Sequence, residues 1–332
     1  MSGTPAARRA IARTGLDSAD YRRHWLHGPE RLWAEKNCYI DIWIELLHAL
    51  ELEPLAMLAF TVGIDFEGDQ WTFFKPPHAD LKRLYGIDVQ ELYVWRPLLD
   101  HALEHLAGGK FISTEADAFW LPDTAGTDYR RQHVKTTIVI GAIDLEAQRL
   151  SYFHNGGYFR LDGEDFVNTF GLGAVRDAAD LPLFAELVRC DRLKRIPVEA
   201  LRRASFGLLR EHVAWLPAAN PIHRFRQRLD ADLPLMLEQG LPYFHAWVFG
   251  TLRQLGAASE LSALYLRWLG PEFVTDLESA ADAFTQISTT CKALIMKIAR
   301  CVSGRRPLDA AANFEEMGAA WERASSGLSA IR

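Results

Sequence analysis

The chain has 332 residues, 49% hydrophobic and 24% charged, with a formal net charge of −6. That balance belongs to a globular protein long enough for two domains and excludes a disordered chain. The acidic balance provides no global field toward nucleic acid or an anionic membrane, and no apolar run reaches the roughly eighteen residues of a spanning helix.

Residues 1–30 are polar and irregular. Their start, MSGTPAARRAIARTG, has no apolar h-region, so it reads as a flexible N-terminal tail rather than a secretory signal. The stretch EKNCYIDIWIELLHALEL follows. Asn37 is placed as an N-cap, and Ile40, Trp43, Ile44, Leu47 and Leu50 form one helical stripe behind Cys38. PLAMLAFTVG begins after a proline at a helix start. DFEGDQWTFFKPPHADLKRLYGIDVQEL then combines a Gly-Asp turn, a Pro-Pro stop and a short helix. HALEHLAGG reads as a helix closed by glycine.

Three apolar runs, KFISTEADAF, KTTIVIGAID and RLSYFHNGGYFRL, read as strands, and the LEAQ between the second and third predicts an antiparallel hairpin. LVRCDRLKRI is either a further strand or a helix. From Pro197 onward the spacing is helical in segment after segment, with prolines and glycines at the edges. The expected organisation is a tail over 1–30, an α+β domain over 31–195 and a helical bundle over 196–332.

The four cysteines, Cys38, Cys190, Cys291 and Cys301, show no CxxC spacing, which predicts free thiols in a reducing cytoplasmic setting and no metal site. Cys38 opens a helix, where unpaired N–H groups favour a thiolate and can donate to an oxyanion. His133 stands just before a β-branched strand. His154 and Asn155 end the next strand ahead of a Gly-Gly turn. A hairpin brings strand ends together, so Asn155 or His154 is expected beside His133 as the orienting group of a Cys-His-Asn triad. Asp65, Glu67, Asp69 and Gln70 crowd one turn, either a solvated acidic loop or the wall of a pocket for a cationic amine. Lys135 and the arginines of YRRQH are surface charges or a place for a carrier protein's phosphate.

Cysteine on the first helix, histidine leading a later strand and an Asx residue ending the next is the chain order of papain-like folds. NCY opening a helix, EADAFWLPDT and HVKTTIVIG together resemble the butirosin-biosynthesis protein H type of papain-like acyltransferases. More closely, NCYIDIWIELLHALELEP, DFEGDQWTFFKPP, LPDTAGTDYRRQHVKTTI and YFHNGGYF are similar to an uncharacterised bacterial domain-of-unknown-function family.

The resemblance implies a papain-like α+β domain, a Cys-bearing helix packed on an antiparallel sheet, followed by a helical bundle. It implies acyl or aminoacyl transfer from a carrier-protein thioester through Cys38, with His133 as base and Asn155 as orienter. The chain itself would hold no cofactor, and phosphopantetheine would sit on the partner carrier protein. Asp117 joins Asn37, Gln70, Asp65, Glu67, Asp69 and His154 as a substrate or oxyanion candidate. Papain-like peptidases place a glutamine several residues before the cysteine, and PERLWAEKNC has none. The alternatives are a cysteine peptidase or amidase on the same residues, and a non-catalytic carrier-binding module.

Overall fold

A computed structural model describes residues 8–13, 15–172, 183–270, 273 and 277–331. The chain forms two units. The first comprises residues up to Gly28, Cys38–Leu52 and His78–Arg195; the second comprises Pro29–Asn37, Glu53–Pro77 and the chain from Ile196. The second unit thus takes two earlier segments of the chain together with everything from Ile196.

The first unit contains β1 (Arg9–Ile11), α1 (Cys38–Ala49), α2 (His78–Tyr85), β2 (Asp88–Glu91), α3 (Leu98–Ala107), β3 (Phe111–Asp117), β4 (Lys135–Asp144), β5 (Arg149–His154), β6 (Gly157–Asp162), α4 (Gly163–Thr169) and β7 (Ala185–Arg189). The strands make one seven-stranded sheet in the order β2-β7-β3-β4-β5-β6, with β1 on β4. Every pairing is antiparallel. β3 pairs with β4 from Lys135 to Ile140, and β1 takes over from Ala142 to Asp144. RLSYFHNGGYFRL is two strands, because Asn155, at φ 44°, and Gly156 turn the chain between β5 and β6. Of LVRCDRLKRI only residues 187–189 are strand, the end of β7, and the remainder is neither strand nor helix.

Alternation along the strands divides the sheet's faces. Ile112, Ala116, Ile138, Ile140, Leu150 and Tyr152 join α3 and α4 in one apolar core. Ser113, Asp117, Val139 and Phe153 fall on the opposite face. The ring of Tyr21 meets Phe153 and Tyr158 there, and its hydroxyl donates to Glu45 of α1, so α1 lies on that second face.

The beginning of the chain departs from the expected tail. Residues 1–7 and 14 lie outside the described residues, but Arg9–Ile11 pairs with β4 and a short 3-10 turn spans Trp25–His27. The segment covers the side of α1 that an amphipathic reading would leave to water. Asp41 and Glu45 are fully buried there, as are Ile40, Ile44 and Leu47 on the apolar stripe.

The second unit carries α5 (Val198–Val213), α6 (Pro221–Gln239), α7 (Leu241–Gly250), α8 (Leu252–Leu269), α9 (Leu277–Gly304) and α10 (Ala311–Ser329). PLAMLAFTVG is a 3-10 helix, Pro54–Gly63, with Pro54 in its first turn and the Glu53 carboxylate accepting from Leu55 N–H. Its apolar residues leave no face for water, and it packs against α5 and α8. Ser205 donates to Ala56 O at 2.7 Å and Ser262 to Thr61 Oγ1 at 2.9 Å. Trp33 inserts beside Gly256, where an added Cβ would lie 2.3 Å from its ring.

Candidate active site

Cys38 is the first residue of α1 and is partly exposed. The other thiols differ. Burial, aided by the charge of Asp191, pushes Cys190 up to about 12. Burial also raises Cys291 and Cys301 in α9.

His133 lies in the long connection from β3 to β4. The β3–β4 register sets Asp117 opposite Lys135 and so beside the chain's approach to β4. Asp117 Oδ1 accepts from Phe119 N–H at 3.0 Å and Val134 N–H at 3.2 Å. Its Oδ2 lies 2.5 Å from His133 Nδ1, and the imidazole stacks on Phe119 with centroids 4.3 Å apart. An ionised carboxylate only accepts, so Nδ1 carries the proton and Nε2 presents a lone pair. The side chain of His133 is 69% exposed, which leaves that nitrogen open. The carboxylate that orients the ring is thus Asp117, which the sequence suggested only as a binding group.

Asn155 and His154 are placed elsewhere. Val139 pairs with Phe153, so antiparallel counting sets Thr137 across from Asn155, with His133 four residues further along. At about 3.3 Å per residue, that offset is roughly 13 Å. His154 shares the face of Tyr152, opposite α1. It is buried, with Nδ1 2.6 Å from Asp123 Oδ2 and Nε2 2.8 Å from Thr136 Oγ1. Tyr152 donates to the other Asp123 oxygen at 2.5 Å. Hydroxyl, imidazole and carboxylate here have the order of a nucleophile triad, but all three side chains are buried. The arrangement ties the LPDT segment to the FHNGG turn, which is a structural task.

A second imidazole near the start of α1 gave no sequence signal beyond a helix start after Pro-Pro. Tyr39, adjacent to Cys38, donates from its hydroxyl to Glu186 Oε2 at 3.0 Å and lies 2.9 Å from His78 Nε2. The phenol has one proton, so His78 donates from Nε2 and keeps Nδ1 as an acceptor. Burial, then the charge of Glu186, raises the Tyr39 phenol and keeps it protonated. Among the described residues no hydrogen bond joins the Cys38 thiol to either imidazole.

A third cluster, equally unforeseen, lies beneath α1. His27 Nε2 is 3.0 Å from Asp41 Oδ1, and its Nδ1 contacts Glu45 Oε1. Gly156 packs against this ring, and a Cβ there would fall 2.8 Å from it. The Gly-Gly turn therefore makes room for His27.

The remaining candidates belong to the second unit. Asn37 is buried and its amide donates to Phe74 O at 3.1 Å and Gln254 Oε1 at 3.2 Å. Both amide protons are spent, so Asn37 does not offer them to an oxyanion. Asp65 receives Arg224 at 2.5 Å, and Glu67 accepts from Thr72. Glu67, Asp69 and Gln70 are exposed on a turn closed by a Phe66–Trp71 bridge. In the first unit, Lys135 is paired with Glu115 and Arg130 with Asp165, so neither charge is unspent. Among the described residues no group of three or more His, Cys, Asp or Glu side chains is arranged to hold a metal. No described helix is long and apolar enough to cross a membrane.

No curated protein matches the chain. Residues 22–190 match the DUF1839 N-terminal domain and residues 198–330 the DUF1839 C-terminal domain. With both segments in order and most of its length covered, the chain belongs to the DUF1839 family.

Proposed function

We propose that the chain is a papain-like thiol acyltransferase, in which Cys38 accepts an acyl or aminoacyl group from a carrier-protein thioester and passes it to an amine or hydroxyl. One observation carries the reading: Cys38 opens the helix that lies on the sheet face bearing Asp117, whose carboxylate orients an exposed imidazole. A helix N-terminus favours a thiolate, and a base held in one tautomer is the other half of nucleophilic catalysis.

His133 Nε2 takes the proton of Cys38. The sulfur attacks the thioester carbonyl, the bond to the phosphopantetheine sulfur breaks, and that sulfur leaves with the proton. The acceptor then loses its proton to His133 as it attacks the acyl-enzyme, and Cys38 departs as thiolate. Backbone N–H groups at the start of α1 stabilise the oxyanion. Catalytic hydrogen bonds commonly tighten only when substrate is bound. A thioester is a far better acyl donor than an amide, and the missing glutamine before Cys38 suits it. The likeness to the butirosin-biosynthesis protein H type of enzyme supports the same reading.

A second assignment of the base rests on the Tyr39–Glu186 clamp, which leaves Nδ1 of His78 ready to accept a proton. The test of the whole reading is intact mass after incubation with a loaded carrier protein. An acyl adduct that disappears in Cys38→Ala is expected. Carrier binding without an adduct, or carrier-independent peptide cleavage, would overturn acyl transfer in favour of a binding module or a peptidase. Acylation rates of His133→Ala and His78→Ala then decide the base.

A further inference from the structure

At the edge of the sheet, the turn after α2 and the segment after β7 enclose a cavity of about 220 Å³. Its lining brings four cations, Lys82, Arg189, Arg192 and Lys194, against two carboxylates, Asp88 and Asp191. Both carboxylates are already spent. Asp88 accepts from Lys82 at 3.0 Å and lies 3.6 Å from Arg189, while Asp191 is 3.2 Å from the same guanidinium. The hydrogen bonds from Lys82, then from Gln90, hold Asp88 below its usual range, and that from Arg189 does the same for Asp191. Four positive charges against two negative ones leave a surplus of two.

The surplus has an address. Among the described residues neither Arg192 nor Lys194 has a carboxylate within ion-pair distance, and the buried Nε of Arg189 has no hydrogen-bond partner. The wall is also built tightly. Gly86 has φ +71°, and a Cβ on it would lie 2.0 Å from the Arg192 carbonyl oxygen. Lys194 N–H donates to Tyr85 O at 2.8 Å, pinning the cationic segment to the end of α2. A second cavity, which includes Arg9, Arg149 and Arg160, lacks this surplus. Asp144 pairs with Arg9 and Asp162 with Arg160, and Asp17 adds a further negative charge to the lining.

We infer that the cavity beside Gly86 binds a phosphomonoester dianion, whose charge equals the surplus. Guanidinium groups donate in a fork matched to phosphate oxygens, and a lysine adds a point charge. The inference stands on the cavity's own charge and does not rest on the role of Cys38.

The test is calorimetric titration of the full chain with inorganic phosphate, phosphopantetheine and pantetheine, with chloride holding the ionic strength constant. Saturable phosphate binding is expected. The double substitution Arg192→Gln with Lys194→Gln should weaken it at least tenfold, and Arg149→Gln should leave it unchanged. Arg192 and Lys194 are exposed, so the double variant keeps its fold, which its melting temperature without phosphate checks. Tighter binding of phosphopantetheine than of phosphate, with none of pantetheine, identifies a phosphorylated molecule as the ligand. Equal affinity of the two identifies phosphate itself. No saturable binding of either, or binding untouched by the double substitution, overturns the site.

Discussion

Asp41 and Glu45, one turn apart on α1, meet opposite nitrogens of the single His27 ring, and none of the three side chains reaches solvent. The ring bridges the two carboxylates of the helix. Tyr21 O–H and His24 N–H add donors to Glu45.

Removing the ring leaves two buried carboxylates facing each other. His27→Ala should cost about 3–5 kcal/mol, the range for breaking a buried ion pair from one side. Urea denaturation measures it. Adding Asp41→Asn and Glu45→Gln to the same chain should restore part of the loss. A cost under about 1 kcal/mol would mean that the ring does not hold these charges.

Acid should weaken the same cluster. Burial pushes the Glu45 carboxyl up, but the hydrogen bond and charge of His27, with the bonds from Tyr21 and His24, outweigh it and hold the group below its ordinary value of 4.5. A carboxyl depressed in the folded state contributes stability above its unfolded pKa, and that contribution disappears as pH falls through the folded value. Unfolding free energy should thus drop as pH is lowered below about 4.5, and Glu45→Gln should flatten the profile. An unchanged slope in that variant would contradict the assignment.

Thiol reactivity separates the cysteines. Burial holds Cys190, Cys291 and Cys301 as thiols, whereas Cys38 is partly exposed at a helix start. Iodoacetamide at mild pH should label Cys38 first, seen as one fast adduct that is lost in Cys38→Ala. Faster modification of either α9 cysteine would disagree with the structure.

In the proposed mechanism the orienting role falls to Asp117, and three substitutions test it. His133→Ala should slow acylation by about 10²–10⁴-fold, the usual worth of general-base help. Asp117→Asn should slow it less and shift its pH profile, because the amide no longer fixes the Nδ1 proton. Asn155→Gly should retain activity, since glycine accepts the positive φ of the turn, while Asn155→Ala should cost roughly 1–2 kcal/mol of stability. Full activity in Asp117→Asn with a large loss in Asn155→Gly would return the role to Asn155.

Periodicity carried the longer elements. KTTIVIGAID is β4 from end to end because an unbroken β-branched run, Thr136 to Ile140, leads toward a short turn. β1 and β2, with 3 and 4 residues, are too short for a period and owe their form to the strands beside them. The covering of Asp41 and Glu45 was invisible for a related reason. His27, Tyr21 and His24 meet these carboxylates, and nothing local joins those residues to α1. The site was half legible. A cysteine at a helix start and a histidine before a strand can be read directly. The partner of His133 depends on register, and the strand ends of β4 and β5 are not level. Asp117 and His133 are neighbours across a connection whose length hides the fact. His78 depends on the approach of α2 to Tyr39, which no spacing encodes.

The chain's passage between its units limits how the family's two segments can travel. Residues 53–77 lie within the N-terminal family segment, yet the Pro54–Gly63 helix completes the packing of α5 and α8. A gene rearrangement that moved only residues 198–330 into another protein would carry α5 and α8 stripped of that layer. The halves are bound to be inherited as a pair, even though their sequence boundary looks like an ordinary domain junction.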